Sequence, residues 1–452
     1  MKPYPEYKTT GLPWLPKIPK HWEIRKMKYL FSERSEKGFP DEPLLAATQN
    51  HGVIPKDLYE SRTVVAQKDL HLLKLVRVGD FVISLRSFQG GIEYAYYQGI
   101  ISPAYTVMIP KDKSLGIDYF RLLAKSKPFV KLLQTCVTGI REGQNVDWPT
   151  LKRNFIPIPP LDEQAKIVRY LDVMTAKIDK LIAAKKKQIA LLQEKKQAVI
   201  NQAVTRGLNP EVELKDSGID WLGKIPKHWA RDKVSRLFGF IGSGTTPSVG
   251  DQSFNDEKEC IPWINSGDLY YADPFIPHIS KKLPEAFLAK YSALKKYPEN
   301  TIVIAMYGAS IGNLGISREV ACCNQACCCL WGPNSNITLL FSYYALLACK
   351  SVWQEKSNGG GQPNISQEIV RQTWLPVPPL VEQIGIARKL DLFSDGLRTV
   401  IQNLEKEIAL CADYKNSLIS SIVTGAVDVR EIEISSAELM WEDAEGMCAT
   451  RD

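Results

Sequence analysis

Apolar residues recur at alternating spacings of four and three along residues 159–207. The positions are Ile167, Leu171, Met174, Ile178, Leu181, Ile182, Ile189, Leu192, Val199 and Ala203. Two prolines and the acids Asp162 and Glu163 precede this stripe, no Pro or Gly interrupts it, and Gly207 follows it. These are the start and stop signals of one helix. At ~1.5 Å per residue the helix would be about 70 Å long, and its coiled-coil seam requires a partner.

A second stripe with the same spacing occupies residues 378–425. Its positions are Ile386, Leu390, Phe393, Leu397, Val400, Leu404, Ile408, Cys411, Leu418 and Ile422. The Pro-Pro-Leu-x-Glu-Gln opening at 159–164 repeats at 378–383, and the Val-Thr end at 204–205 repeats at 423–424. Two unrelated amphipathic helices would not share opening, seam and end without a gap. The pattern predicts that the two helices form an antiparallel coiled coil.

The segments before the helices repeat as well. Residues 10–22 recur as residues 217–229, and both copies end in Ile-Pro-Lys-His-Trp. The chain is therefore a tandem duplication with pseudo-twofold internal symmetry. We predict α/β (α+β) globular domains at residues 1–158 and 208–377, long helices at 159–207 and 378–425, and an acidic tail at 426–452.

Short apolar runs predict strands inside both globular domains, and longer amphipathic runs predict helices. Strands are expected at residues 77–84 and 300–305, at 104–109 and 326–331, and at 155–158 and 374–377; helices are expected at 119–133 and 341–355. Between these landmarks the two domains differ freely. A repeated frame with divergent filling suits one task performed on two different targets.

Composition narrows the class of protein. The chain has 452 residues, of which 44% are hydrophobic and 24% charged, typical of a soluble globular protein. No run of about 18 apolar residues occurs, and residues 1–6 lack the apolar segment of a signal peptide, so we expect a cytoplasmic protein with reduced cysteines. The net charge of +7 is a mild indication of a polyanionic partner. Lys185, Lys186 and Lys187 suit a solvated helix face and a phosphate contact equally well.

Catalytic signatures are missing from the sequence. It contains no P-loop, no Asn/Asp-Pro-Pro-aromatic motif of an adenine methyltransferase, no H-E-x-x-H and no G-x-S-x-G. His21 and His228 stand at matched positions beside Trp, which favours packing over catalysis. These absences agree with a protein that is not itself an enzyme.

Five cysteines between residues 322 and 329 resemble a metal cluster at first sight. Their spacing differs from paired C-x-x-C knuckles, and no His is near them. Consecutive residues in a strand face opposite sides, and free Cys packs as a small hydrophobe. We predict that this cluster packs inside the domain and holds no metal.

Polar and aromatic side chains suited to base edges are common in the divergent parts. Arg pairs with guanine, and Asn or Gln with adenine, through two hydrogen bonds in the major groove. The candidates are Arg86, Ser87, Gln89, Tyr94, Tyr96, Arg141, Gln144 and Asn145 in the first domain, and Asn265, Tyr270, Tyr307, Asn313, Gln362 and Asn364 in the second, with Tyr97, Tyr271, Asn324 and Gln325 beside them. A loop or turn role explains any one of them, so the indication lies in the collection.

Two motifs, each present twice, carry a family resemblance. The Gly-x-x-Trp-x-x-x-Ile-Pro-x-His-Trp segments, the Pro-Pro-Leu-x-Glu-Gln helix openings and the duplicated layout resemble the specificity subunit of type I restriction-modification enzymes over essentially the whole chain. The resemblance implies two target recognition domains, each reading half of a bipartite double-stranded DNA site, separated by spacer helices. The departures are small: Gly223 replaces Pro16, Val381 replaces Asp162, and the acidic tail occurs once.

The resemblance also implies partners. Two methyltransferase (modification) subunits would bind S-adenosylmethionine, and restriction subunits would use ATP and Mg²⁺, leaving this chain without a cofactor. The candidate docking residues are Pro160, Leu161, Glu163 and Gln164, and Pro379, Leu380, Glu382 and Gln383. Plain helix initiation explains the Pro and Glu but does not demand Leu and Gln twice. Replacement of both Gln by Lys is predicted to leave folding normal and so to test docking alone.

Two other functions stay open at this point. A fused DNA methyltransferase or nuclease would turn over S-adenosylmethionine or cut DNA without partners. A coiled-coil scaffold that never meets DNA would show no sequence preference in a gel shift with partner subunits present.

Overall fold

The computed structural model describes residues 2–58, 69–139, 144–247, 260–270, 273–357 and 364–433. The chain forms two compact units. Unit 1 comprises residues 1–185 together with the chain from residue 406 onward, and unit 2 comprises residues 186–405. Each unit therefore contains a globular domain and a part of both long helices.

Unit 1 is built on a small antiparallel sheet. Its strands are β1 (Tyr7–Leu12), β2 (Leu15–Pro19), β3 (Glu23–Lys26), β4 (Phe31–Arg34), β5 (Leu45–Thr48), β6 (Gly52–Pro55), β7 (Lys74–Val76), β8 (Phe81–Ile83), β9 (Glu93–Tyr94), β10 (Gly99–Ile101), β11 (Thr106–Pro110), β12 (Val137–Thr138), β13 (Asn145–Val146) and β14 (Phe155–Ile158). Its helices are α1 (Met27–Leu30), α2 (Ser87–Gly90), α3 (Ile117–Leu123), α4 (Lys127–Thr135), α5 (Trp148–Leu151) and the start of α6 (Leu161–Arg206). The sheet order is β4-β11-β8-β9, and β3 pairs with β14.

Unit 2 repeats this frame. Its strands are β15 (Leu214–Asp216), β16 (Lys224–Pro226), β17 (Ala230–Lys233), β18 (Phe238–Ser243), β19 (Cys260–Ile264), β20 (Lys282–Pro284), β21 (Ile302–Ala305), β22 (Leu314–Ile316), β23 (Cys322–Cys323), β24 (Cys327–Pro333) and β25 (Trp374–Val377). Its helices are α7 (Val234–Leu237), α8 (Ala286–Lys290), α9 (Leu339–Ala348), α10 (Lys350–Glu355), α11 (Gln367–Gln372) and the start of α12 (Leu380–Val423). The sheet order is β18-β24-β21-β22, and β17 pairs with β25.

The two frames match strand for strand, while their additions differ. Unit 1 adds the β5-β6, β10-β7 and β12-β13 pairs, whereas unit 2 adds a three-stranded sheet in the order β20-β19-β23. The strands β8, β11 and β14, and β21, β24 and β25, confirm the predicted strands to within a few residues. The divergent parts predicted from the sequence are thus different small sheets attached to one common frame.

Both predicted domain helices are divided. Residues 117–135 form α3 and α4, because the Ser126 hydroxyl caps α4 and a proline follows in its first turn. Residues 339–355 form α9 and α10, which separate at Cys349. The prediction of one continuous helix at each place was wrong.

The two long helices are confirmed, with 46 residues in α6 and 44 in α12. Gly207 and Gly425 follow them in the left-handed region, each at φ +74°, the conformation that favours glycine after a helix. No described helix is both long and apolar enough to cross a membrane.

The predicted seam is buried near the globular domains. In unit 1, Ile167 and Leu171 of α6 share one core with Leu418 and Ile422 of α12. In unit 2, the predicted seam residue Ala203 shares a core with Ile386 and Leu390, and its neighbours Ile200 and Val204, which were not predicted, belong to the same core. Two predicted seam residues are exposed, Leu181 at 47% and Val400 at 44%.

The cysteine cluster packs as predicted. Cys322 and Cys323 form β23, and Cys327, Cys328 and Cys329 begin β24, all of them buried. Cys327 and Cys329 belong to one core cluster and Cys328 to another, which confirms alternating faces.

Candidate helix junctions and nucleic-acid interface

In unit 1 the first turn of α6 is tied to the Ile-Pro-Lys-His-Trp motif through Glu163. The Glu163 carboxylate lies 2.7 Å from His21 Nε2, and Trp22 Nε1 donates to it at 2.9 Å. The Tyr4 hydroxyl donates a further hydrogen bond at 2.5 Å. Burial, with the Glu163 carboxylate second, raises the pKa of Tyr4 far above its usual value. The His-Trp motif therefore fixes the angle at which the long helix leaves the domain.

In unit 2 the same junction recurs around Glu382. His228 Nε2 lies 2.6 Å from Glu382 Oε1, and Trp229 Nε1 donates to Oε2 at 2.9 Å. The side chains of both histidines are partly open, His21 at 39% and His228 at 46% exposure. Each histidine is held by a glutamate at the partly exposed edge of its junction, a structural contact of the kind that the sequence favoured over catalysis.

The glutamine after each glutamate forms a second clamp. Gln164 accepts a hydrogen bond from Gly116 N at 2.7 Å and donates to the carbonyls of Ser114 and Pro159. Gln383 accepts from Thr338 N at 2.7 Å and donates to the carbonyls of Asn336 and Pro378. Each carboxamide thus satisfies three backbone groups and ties the loop before α3 or α9 to a long helix.

These contacts divide the candidate docking residues. Glu163, Gln164 and Gln383 are buried, and their polar atoms are engaged by their own unit. Glu382 is 40% exposed. Pro160, Leu161, Pro379 and Leu380 are exposed, with Leu161 at 55% and Leu380 at 45%. The leucines supply an apolar surface. The hydrogen bonds that each glutamine makes within its own unit explain why glutamine occurs at both positions.

In unit 1 the aromatic candidates line a cleft of about 1320 Å³. Tyr94 and Tyr96 pack edge to face with their ring centroids 4.8 Å apart. Arg121 of α3 donates to the Tyr96 hydroxyl at 3.1 Å, and Tyr97 lies beside them, 44% exposed. Exposed aromatic rings beside a guanidinium are suited to contact bases and phosphates.

An ion pair lies in the wall of this cleft. Lys125 Nζ is 2.5 Å from Glu93 Oε1, and it also donates to the carbonyls of Gln49 and Gly90. Glu93 is 2% exposed, and its Oε2 has no hydrogen-bond partner among the described residues. Burial raises the pKa of Glu93 to about 7, against the opposing effect of Lys125.

The other candidates of unit 1 are distributed around α2 and β13. Arg86 and Gln89 are exposed at the two ends of α2, and Gln144 is exposed before β13. Ser87 is buried, and its hydroxyl accepts from Ser84 N at 2.8 Å, which gives it a turn-forming role. Asn145 lies half-buried in β13, and Arg141 lies outside the described residues.

In unit 2 several candidates have structural partners. Asn265 caps the 3₁₀ turn at Ser266–Leu269 and accepts from Asn324 Nδ2 at 3.2 Å. Asn313 accepts from Lys350 Nζ at 2.7 Å. Tyr307 and Asn364 are exposed and form an antiparallel bridge. The remaining candidates are Tyr270, 71% exposed, Gln325, also exposed, and Gln362 and Tyr271, which lie outside the described residues.

Sequence reasoning missed His51, Arg121 and Lys125 in the wall of the cleft. They come from the β5-β6 turn, from α3 and from the residues after α3. No motif joins these positions, because only the fold brings them together. The single signal in the sequence was the excess of basic residues.

The two tandem units share one frame, and a single family model matches both of them. The model of the type I restriction modification DNA specificity domain matches residues 19–191 and 226–410. The chain belongs to this family.

Individual relatives cover most of the chain. The MjaVIII specificity subunit of Methanocaldococcus jannaschii is 26% identical over 79% of this chain and 81% of its own. The EcoBI specificity subunit of Escherichia coli is 24% identical over 76% of this chain and 78% of its own. A chain solved in work on complex assembly and conformational transition of the type I R-M system is similar in fold, with a TM-score of 0.62 at 15% identity over 91% of this chain and 99% of that chain.

Proposed function

We propose that this chain is the DNA-recognition subunit of a type I restriction-modification complex. Each globular domain reads one half of a bipartite double-stranded DNA site, and the long helices separate the two domains. Methyl transfer and DNA cleavage reside in partner subunits, which bind S-adenosylmethionine, ATP and Mg²⁺. The observation that carries the proposal is the twice-built junction, Glu163 with His21 and Trp22, and Glu382 with His228 and Trp229.

The repeated junction supports a recognition role because it belongs to a frame that both units share, whereas the sheets attached to that frame differ. β4-β11-β8-β9 and β18-β24-β21-β22 match, while the small sheets attached to them differ. Two copies of one frame that carry different surfaces suit two different half-sites. Base readout needs side chains fixed by a scaffold, and both domains supply one.

Each domain is also fastened to the long helices. In unit 2, Asp273 forms ion pairs with Lys196 of α6 at 2.6 Å and with Arg398 of α12 at 3.1 Å. In unit 1, the Tyr119 hydroxyl donates to the carbonyl of Val423 of α12 at 2.8 Å. These contacts fasten each domain to the long helices within its own unit, which supports the proposed spacer role of the helices.

We further propose an antiparallel pairing of the helices with a pseudo-twofold relation between the two halves. Within unit 1, Asp179 pairs with Lys415 and Lys185 with Glu407, each at 2.5 Å. Partner positions that fall along α12 as they rise along α6 are those of antiparallel helices. The repeated openings then give two similar surfaces, with Leu161 and Leu380 exposed on them, for two modification subunits.

An exchange of recognition parts tests the proposal. Residues 230–374 are replaced by the equivalent part of a relative, and methylated sites are mapped in a host that carries the modification subunit. We expect one half-site to change and the other to stay. A change in both half-sites would contradict modular reading, and a chain that cuts or methylates DNA without partners would contradict the non-catalytic role.

A further inference from the structure

The two junctions differ in one respect that the repeat does not predict. In unit 1 the Tyr4 ring covers the junction carboxylate, and Glu163 is only 3% exposed. In unit 2 the residue 207 positions after Tyr4 is Glu211, which is exposed, and Glu382 is 40% exposed. The chain follows the same path in both places. Matched ion pairs show this, one between Glu6 and Lys20 and the other between Glu213 and Lys227.

The uncovered junction of unit 2 borders a cavity of about 250 Å³. Arg206, Asn209, His228, Glu382 and Gly385 are among the residues that line it, and no tyrosine does so among the described residues. Glu382 is already bound to His228 and Trp229, as Glu163 is to His21 and Trp22. Glu163 accepts a third hydrogen bond from a phenol, and the cavity leaves room for the same bond to Glu382.

A second difference coincides with the first. The first turn of α12 exposes Val381 at 82% and Ile384 at 60%, next to the cavity residues Glu382 and Gly385. The matching positions of α6 are Asp162 and Ala165. Exposed apolar side chains beside a pocket are typical of a protein–protein contact. At the matching junction of unit 1, Tyr4 covers the carboxylate, and positions 162 and 165 carry no large apolar side chain.

We propose that the cavity beside Glu382 receives a tyrosine side chain of a modification subunit, in the place that Tyr4 occupies in unit 1. The phenol would donate to the Glu382 carboxylate, its ring would lie against His228, and Val381 and Ile384 would pack around the entering segment. The assignment rests on the proposed function for the identity of the partner. The chemistry of the occupant follows from Tyr4, which packs against His21 and Trp22 with ring centroids 5.7 and 5.8 Å away.

Filling the cavity from within the chain tests the assignment. In the full-length Glu211→Tyr variant the new ring can take the Tyr4-like position, so we expect a higher Tm. Sedimentation with the modification subunit should then show one of two copies bound about thirtyfold more weakly than in the wild type, the effect of losing a central aromatic anchor. Lys215→Tyr, at an exposed position on strand β15 shortly after Glu211, is the matched control and should assemble normally.

Two further measurements fix the interpretation. The double variant Val381→Asp with Ile384→Ala, which carries the residues of unit 1, should weaken the same copy and decides the matter if Glu211→Tyr does not fold. A photo-crosslinking amino acid at Asn209 should capture a tyrosine-containing peptide of the modification subunit, and capture of a peptide without tyrosine would overturn the ligand.

The outcomes separate this inference from the proposed function. A Glu211→Tyr variant that gains stability yet binds both copies as tightly as the wild type overturns the cavity assignment and leaves the recognition role intact. A wild-type chain that binds no modification subunit at all refutes the proposed function and the inference with it.

Discussion

Gln164 and Gln383 each use one buried carboxamide to join a loop of the domain to the start of a long helix. Each satisfies one backbone N–H and two backbone carbonyls, through hydrogen bonds that are buried or partly buried. A buried polar group left unpaired costs about 1–3 kcal/mol. The repeated Gln therefore follows from local backbone chemistry in each unit.

These hydrogen bonds change the prediction from sequence that Gln164→Lys and Gln383→Lys fold normally. Lysine offers no acceptor for Gly116 N or Thr338 N, and it brings a charge to a buried site. We expect each variant to lose about 1–3 kcal/mol of unfolding free energy in urea denaturation followed by circular dichroism. Leu161→Lys, at an exposed position of the same helix turn, is the control and should unfold like the wild type. Wild-type stability of both Gln variants would contradict the clamp.

Glu93 predicts a pH dependence of stability. Its pKa is raised from 4.5 to about 7 in the folded state, chiefly by burial. The folded protein therefore holds this proton more tightly than the unfolded chain, so the stabilising effect is complete below pH 4.5 and is lost as the pH rises through 7.

The Glu93→Gln variant should flatten this dependence. Between pH 5 and 7 the wild type should lose up to about 1.4 kcal/mol per pH unit that the variant does not lose. Denaturation curves at several pH values measure the difference. Asp118→Asn, an exposed carboxyl near the same cleft, is the control and should leave the slope unchanged. Parallel pH profiles for Glu93→Gln and the wild type would rule out the raised pKa.

At the scale of elements, β23 and β24 carry five cysteines without surface access. Burial raises the pKa of Cys322 and Cys328 to about 12. Thiolates are the reactive form and also the form that binds zinc. Among the described residues, no group of three or more His, Cys, Asp or Glu side chains is placed to hold a metal ion.

We therefore expect the cysteines of these two strands to resist alkylation at pH 8 in the native protein and to react after denaturation. Mass spectrometry maps the labelled positions, with half-buried Cys411 as the internal control that reacts first. Elemental analysis of the purified chain should find no stoichiometric zinc. Zinc at one ion per chain would contradict the prediction that these cysteines pack without a metal.

At the scale of the whole molecule, the helices are predicted to act as a ruler between two half-sites. Half-sites one duplex turn apart, ~34–36 Å, face the same side of the DNA. One heptad inserted after Gln193 keeps the proposed seam and lengthens α6 by roughly 10 Å. With a matching heptad in α12, we expect methylated sites with a longer spacer between unchanged half-sites. An unchanged spacer would contradict the ruler, and insertion of four residues, which breaks the seam, serves as the destabilised control.

The sequence by itself determined the duplication, both long helices and most frame strands. These features depend on local signals: the 4/3 spacing, the prolines and acids before each helix, and short apolar runs. It also determined that Cys327, Cys328 and Cys329 alternate between faces, since a strand has a period of two.

Only the tertiary structure decided what the repeated polar residues do. Glu163 meets His21 across 142 positions, and Gln164 meets Gly116 across 48. Such contacts depend on how separate elements pack, and no local pattern encodes the distance between them. The same holds for the cleft of Tyr96, Arg121 and Lys125, and for the open cavity beside Glu382. There a single exchange, Tyr4 against Glu211, decides whether a buried site is closed from within the chain, because one aromatic ring is enough to cover the carboxylate.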